Sequence, residues 1–381
     1  MSSSEQLYDL AIVGGGLAGL TLSIQMRKKG YRVIVFEKES YPMHRVCGEY
    51  ISMESAQYLH DCGVDRDALK LPRITQLHVT APSGYKLAHA LSPGGFGISR
   101  YKLDDMLATY ATNLGVVVLQ QTPVTHLEKN ATTYTVNTRT SSYTVRMVAG
   151  TWGKRSTMDV KWNRAFVQER NRLLSRYIGI KYHVQADLPH NLIELHNFKD
   201  GYCGISKIED DRYCMCYLTT AENLKLAGGD IKRMEEQILH KNPYLKTYFN
   251  QYTSLYEKPL AISQISFERK ETDMHAVPFA GDSAGLITPL CGNGMSMALH
   301  ASKLLSHHLD KFLQQDAIDV QSCLASYKQQ WEMHFSGRMR AGRLIQSMFG
   351  STLMTEALLR ILKPFPLFVG KLVDSTHGDT F

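Results

Sequence analysis

The stretch Asp9-Leu-Ala-Ile-Val-Gly-Gly-Gly-Leu-Ala-Gly19 runs from an apolar segment into glycines and then into apolar residues at helical spacing. Leu10 to Val13 reads as a buried parallel strand. Leu17 to Lys29 reads as a helix, with Leu17, Leu20, Thr21 and Ile24 on one face. Gly30 stops it, and Tyr31 to Phe36 is a second strand ended by Glu37. Gly14, Gly16 and Gly19 therefore fit G-x-G-x-x-G inside a strand–helix–strand unit of about 30 residues. Gly14 permits the tight turn, Gly16 lets a pyrophosphate approach the backbone, and Gly19 allows close packing of helix on strand. The helix N-terminus offers free N–H donors and a positive dipole end to the phosphates. Glu37, about 20 residues on, can accept hydrogen bonds from ribose hydroxyls. A purely structural glycine turn would not account for strand, helix, second strand and terminal acid together. The unit binds an adenine dinucleotide, with FAD and NAD(P) both open at this point.

The chain has 381 residues, enough for one large domain or two intimate ones. Its 44% hydrophobic and 21% charged content is that of an ordinary globular protein. The formal net charge is +7, but lysines and arginines are scattered, which argues against nucleic-acid binding. A mild positive potential favours anionic cofactors or an anionic membrane surface. The seven cysteines are odd in number and widely spaced, so no disulfide framework is expected. Cys214-Met-Cys216 lacks a second pair or nearby histidines at zinc spacing and reads as two small buried hydrophobes. Neither a metal site nor a Ser-His-Asp constellation emerges from the fifteen histidines. The first apolar run is the nucleotide-binding strand itself rather than a signal peptide. No stretch reaches about 18 uninterrupted apolar residues. A cytoplasmic protein without a spanning helix is the expectation.

Residues 72 to 98 carry alternating apolar stretches and glycine/proline turns at Pro82-Ser-Gly84 and Pro93-Gly-Gly95, the pattern of strands. Tyr101 to Leu114 reads as a helix and Val116 to Leu119 as a buried strand. Tyr134 to Thr138 and Tyr143 to Val148 read as a hairpin returning to the nucleotide domain. Strand-like segments at 177–183, 192–196 and 211–218 suggest an antiparallel sheet, and the chain is mostly helical from about 296. The expected division is a discontinuous nucleotide-binding domain of residues 1–70, 98–160 and 271–310. A substrate domain takes 71–97 and 161–270, and a C-terminal helical region takes 311–381.

The cofactor is indicated far downstream. Ala276-Val-Pro-Phe-Ala-Gly-Asp-Ser-Ala-Gly-Leu-Ile-Thr-Pro-Leu-Cys-Gly-Asn-Gly-Met-Ser-Met-Ala298 contains a short apolar strand, then Gly281-Asp282, then a glycine loop opening a helix. It resembles the G-D motif of FAD-dependent enzymes with the para-hydroxybenzoate hydroxylase type of fold, the group A flavin monooxygenase superfamily. Within it the chain looks most like the geranylgeranyl reductase-like branch. Tyr41-Pro-Met-His-Arg-Val-Cys-Gly-Glu-Tyr-Ile-Ser52 and Arg100-Tyr-Lys-Leu-Asp-Asp-Met-Leu107 resemble two further segments of that family. The resemblance implies an α/β fold, with a Rossmann-like FAD-binding domain interleaved with an antiparallel-sheet substrate domain. It implies that Gly281 and Asp282 meet the ribityl or ribose part of FAD, and that Pro289, Gly292, Asn293, Gly294 and Met295 meet the isoalloxazine. It places Arg45 and Arg100 on the FAD, and Cys47 and Gly48 near the flavin. Cys47, Tyr202 and Pro289 are the flavin-facing candidates, with no catalytic residue assigned. A helix N-terminus there would stabilise the reduced flavin, an anion near N1/C2=O.

Two departures matter. Val148-Ala-Gly-Thr-Trp-Gly-Lys-Arg-Ser156 stands where many relatives carry an Asp-Gly motif, and Trp152 replaces the aspartate. That weakens the expectation that NAD(P)H reduces the flavin directly, and Lys154 and Arg155 are expected to be solvated. Gly201-Tyr-Cys-Gly-Ile-Ser206 lacks both the tryptophans of tryptophan halogenases and the Trp and Phe-Pro of the reductase-like branch. The expected activity is an FAD-dependent oxidoreduction of an apolar or aromatic small molecule. Hydride transfer from reduced flavin to a double bond is favoured. The alternatives are a monooxygenase hydroxylating an aromatic or polyene precursor at oxygen-charged flavin, and a non-catalytic flavoprotein or redox sensor. The C-terminal region is rich in large apolar residues, with Arg343, Arg360, Lys363 and Lys371 interspersed. The favoured reading is helices that close the substrate pocket. The second is a peripheral membrane contact for a lipid-like substrate, which otherwise arrives free or on a carrier. Pro364 and Pro366 confine such a contact to the surface.

Overall fold

The computed structural model describes residues 7–168, 177–315, 319–349 and 351–381. The elements begin β1 (Tyr8–Val13), α1 (Leu17–Lys28), β2 (Val33–Phe36), β3 (Tyr50–Ser52), α2 (Ala56–Asp61), β4 (Arg73–Thr80), β5 (Lys86–Gly97), α3 (Arg100–Asn113) and β6 (Val117–Leu119). Next come β7 (His126–Lys129), β8 (Tyr134–Asn137), β9 (Ser142–Gly150), α4 (Thr157–Lys161), α5 (Ala165–Gln168), β10 (Tyr177–Gln185), β11 (Leu192–Phe198), β12 (Gly201–Lys207) and β13 (Tyr213–Thr220). The chain continues through α6 (Ala221–Leu226), α7 (Ile231–Gln237), α8 (Pro243–Gln251), β14 (Thr253–Ser254), β15 (Leu260–Ile265), β16 (Asp273–Met274) and β17 (Val277–Pro278). It ends in four helices, α9 (Gly294–Gln314), α10 (Val320–Met348), α11 (Thr352–Leu362) and α12 (Pro366–Asp374).

The first sheet has the order β6-β2-β1-β9-β8-β7. Its β6, β2, β1 and β9 run parallel, and the β7–β8–β9 meander is antiparallel. Leu10, Ala11 and Ile12 of β1 are fully buried, as a central parallel strand covered on both faces requires. α1 and α9 pack together on this sheet, where Ser302 bridges Thr21 (2.8 Å) and Tyr58 (2.9 Å).

The second sheet has the order β14-β10-β13-β12-β11-β4-β5-β3, with β15 also on β10. The expected antiparallel sheet is in fact mixed, because β11 lies parallel to β4. These strands are far apart in sequence, so no hairpin dictates their direction. Pro93-Gly-Gly95, read as a turn, lies inside β5 as an irregularity. The register with β4 shifts between Ile74 and Gln76, and Gly94 takes a φ of 77°. The outer end of this sheet packs under α7 and α8 in a core of its own. Its β4–β5 end packs against α11 and α12 in another.

Candidate active site

The two sheets meet along a cavity of about 310 Å³. At one end it is walled by the start of α1, the Cys47–Glu49 turn, Arg100, and the Gly281–Asp282 and Pro289–Met295 segments. At the other end the wall is apolar, with Leu77 and Val79 of β4, Ile193 and Leu195 of β11, and Leu359 and Val369 of α11 and α12. The expected residues Gly16, Cys47, Gly48, Arg100, Tyr202, Gly281, Asp282, Pro289, Gly292, Gly294 and Met295 all line it. Gly14, Gly19, Glu37, Arg45 and Asn293 are not among the lining residues.

The glycines divide by what surrounds them. A side chain on Gly14, which has a φ of 107°, would strike the backbone of Thr151 and Trp152. One on Gly19 would strike the Gly14 carbonyl oxygen. At Gly16 the nearest protein atom to an added Cβ is Arg100 Nη2 at 3.7 Å, so its missing side chain opens space toward the cavity instead. Gly16 starts α1 in extended conformation with no side-chain cap, and Asn293 starts α9 likewise uncapped. Both helices thus point N–H groups without side-chain acceptors at one cavity. Arg100 is held there by a two-point bond to Asp104 (2.8 and 2.7 Å), with its charged form favoured by that carboxylate over the cost of burial. The donor set suits a pyrophosphate and an electron-rich ring system.

The Arg45–Glu49 turn is fastened from the substrate sheet and from the loop after β9. Lys181 Nζ donates to the Arg45 carbonyl (3.1 Å), Lys154 Nζ to the Val46 carbonyl (3.1 Å), and Cys214 Sγ to the Cys47 carbonyl (3.3 Å). Glu49, fully buried with a φ of 56°, accepts from Lys181 Nζ, His183 Nε2 (2.6 Å) and the Arg100 N–H (2.8 Å). Burial opposes its charge, but the bond to His183 and the charge of Lys181 hold its pKa below the ordinary value. Glu49, His183 and Cys214 bring ligand-type atoms within 4.8 Å of one another. The Lys181 ammonium already pairs with Glu49 there, so we assign no metal to the cluster.

The placement of Lys154 differs from sequence expectation, and further contacts fix the residues around the site. Lys154, expected to be solvated, reaches the turn carbonyl and lines the cavity, while Arg155 is exposed. Glu37 Oε2 accepts the Gly15 N–H (2.9 Å) and faces Arg45 (3.4 Å). Asn293 Nδ2 donates to the Thr376 carbonyl (2.7 Å), while its buried Oδ1 has no hydrogen-bond partner among the described residues. Trp152 donates to Asp159 (2.9 Å). Asp159 pairs with the fully buried Arg164 (2.9 Å), which also holds the Ser283 carbonyl (2.9 Å) behind Asp282. Lys270 donates to the Asp282 carbonyl (2.7 Å), and burial lowers its pKa to about 8. Glu49, Lys181, His183, Arg164 and Lys270 were all missed. Glu49 alone carried a signal, as the acid closing the Cys-Gly-Glu segment.

The sequence profile described as "FAD binding domain" matches residues 8–336. Conditioned medium factor receptor 1 of Dictyostelium discoideum is 22% identical over 366 residues, covering 87% of this chain and 68% of that protein. Digeranylgeranylglycerophospholipid reductase of Methanococcus vannielii is 23% identical over 348 residues, covering 88% of this chain and 85% of that protein. Among solved structures, a flavin-dependent brominase superposes with a TM-score of 0.77 at 18% identity, covering 97% of this chain and 94% of the other. At that identity the likeness concerns the fold.

Proposed function

The chain belongs to the FAD binding domain family of FAD-dependent oxidoreductases, and we propose that it reduces a double bond of an apolar or aromatic small molecule. One observation carries this reading: the cavity runs from the glycine-loop end into an apolar chamber with almost no polar chemistry of its own. Its walls away from the glycine loops are chiefly Leu, Ile, Val and Phe side chains, among them Leu87, Ile265, Leu286, Ile345 and Phe349. Such a chamber suits a long apolar substrate. The FAD supplies hydride chemistry once reduced, and the protein supplies orientation and exclusion of water.

Arg100 and the start of α1 would hold the pyrophosphate, and the Pro289–Met295 segment with the start of α9 would face the ring. The Glu49-braced turn closes the opposite side. Reduction of the purified protein without oxygen, by dithionite or NAD(P)H, tests the reading. Reoxidation by an added polyprenyl compound, with slow and featureless reaction with oxygen, is expected. An oxygen-dependent transient absorbance followed by a hydroxylated product would replace the reading with a monooxygenase. A flavin that resists reduction would replace it with a non-catalytic flavoprotein.

A further inference from the structure

Helices α11 and α12 are apolar on both sides. Inward, Leu359, Leu362, Val369 and Leu372 wall the cavity. Outward, Leu353 is 82% exposed, Met354 53%, Ile361 63%, Phe365 56%, Leu367 83% and Phe368 67%. Other exposed large apolar residues, such as Val160, Leu226 and Leu255, are scattered along the chain. Single exposed apolar side chains are ordinary, but a cluster of this kind marks an interaction surface.

The charges around the cluster are mostly basic. Arg360, Lys363 and Lys371 are exposed, with Arg360 and Lys363 lying over the Tyr85 ring at 4.9 and 4.8 Å. Two acids lie on these helices, Glu356 and Asp374, and Glu356 is already engaged by Arg360 (2.8 Å) and Ser83. The helices have 11 and 9 residues, against about 20 needed to span a bilayer. The break at Pro364 to Pro366 leaves a bent pair that can only lie flat.

We infer that the outer face of α11 and α12 docks on an anionic lipid surface. Resting on the apolar-substrate reading, it also follows that a lipid-dissolved substrate reaches the cavity through this pair of helices. Leu, Phe and Ile would sit below the headgroups while Lys363 and Lys371 meet lipid phosphates, the arrangement of an interfacial helix. An acidic carrier protein would match the cations but leave the breadth of the apolar face unexplained.

The test is cosedimentation of the FAD-loaded protein with vesicles. Phosphatidylcholine vesicles containing phosphatidylglycerol should bind it, more strongly than phosphatidylcholine alone, and added salt should weaken binding. The double variant Leu367→Glu, Phe368→Glu should weaken binding roughly tenfold or more. Its flavin absorbance and melting temperature should not change, because neither side chain lines the cavity. The inference is overturned if the wild type stays in the supernatant with anionic vesicles at low salt, or if the double variant binds equally. It is also overturned if, without lipid, sedimentation velocity shows a dimer that the double variant abolishes, since the face would then belong to a second copy. Vesicle binding needs no turnover, so this result and that of the flavin reoxidation experiment stand or fall separately.

Discussion

Gly16 is glycine for a reason that lies outside the protein. A Cβ there meets nothing closer than 3.7 Å, whereas Gly14 and Gly19 are hemmed in by backbone. Gly16→Val is therefore expected to purify without the yellow chromophore and to melt at the temperature of the FAD-stripped wild type. Gly19→Val should fail to fold, and a yellow, stable Gly16→Val would show that the pyrophosphate lies elsewhere. The distinction between these glycines was legible in the sequence because turn, approach and packing are local demands on neighbouring residues. The Glu49–Lys181–His183 cluster was not legible. Its partners lie 132 and 134 residues apart in the chain, and only the fold makes an acid beside Cys47-Gly48 the anchor of a distant strand. Glu49→Gln leaves the Lys181 charge buried without its counterion. A loss of about 3–5 kcal/mol in urea unfolding is expected. Combining it with Lys181→Met should recover most of that loss. A double variant no more stable than Glu49→Gln would mean that the backbone bonds to the turn matter more than the charges.

At the scale of elements, two uncapped helix starts face one cavity, and each is opened by a glycine loop after a strand. That arrangement follows directly from the two motifs at Gly14–Gly19 and Gly281–Gly294, which is why sequence alone located it. Trp152 was harder to interpret. Its position suggested a lost carboxylate, yet its indole binds Asp159 seven residues later, and Asp159 pairs with Arg164. Arg164 then ties α4 to two downstream segments, since it reaches the Ser283 carbonyl, the Glu271 carboxylate (3.0 Å) and the Glu271 carbonyl (2.9 Å), with its guanidinium 4.3 Å above Phe279. A fork of five donors on a plane is what these acceptors require, and a lysine cannot supply it. Arg164→Lys should therefore lower stability by about 2–4 kcal/mol and loosen the turn behind Asp282. FAD titration of the stripped protein would register the loosening as weaker binding. Unchanged FAD affinity in a destabilised variant would confine Arg164 to a structural role.

At the scale of the whole molecule, the C-terminal tail returns to the nucleotide-binding half. The Gly378 N–H donates to Glu54 (2.6 Å), and the Phe381 ring stacks on His300 with centroids 4.2 Å apart. Nothing in the tail's sequence announces this, because stacking on a histidine in α9 has no periodic signature. The contact ties stability to pH. Burial, with the nearby charges of His334, Arg338 and Lys303, lowers the His300 pKa from 6.5 to about 3. Burial and the neighbouring His307 and Lys311 lower that of His308 to about 4. Both rings are thus neutral in the folded chain at pH values where the unfolded chain protonates them. Between about pH 6.5 and the lowered values the unfolded state binds more protons on these two rings, so their contribution to stability falls as pH falls through that window and is constant above it. Glu49 and Glu194, whose pKa values are also lowered, add losses in the same direction near the acid end, while Glu54, whose pKa is raised, opposes them. His300→Phe removes one titrating ring and keeps the stack on Phe381. It should reduce the stability lost between pH 7 and pH 4.5 by about 2 kcal/mol, measured by urea unfolding at both values. The variant would retain the loss in full if the acid sensitivity came from the carboxylates alone.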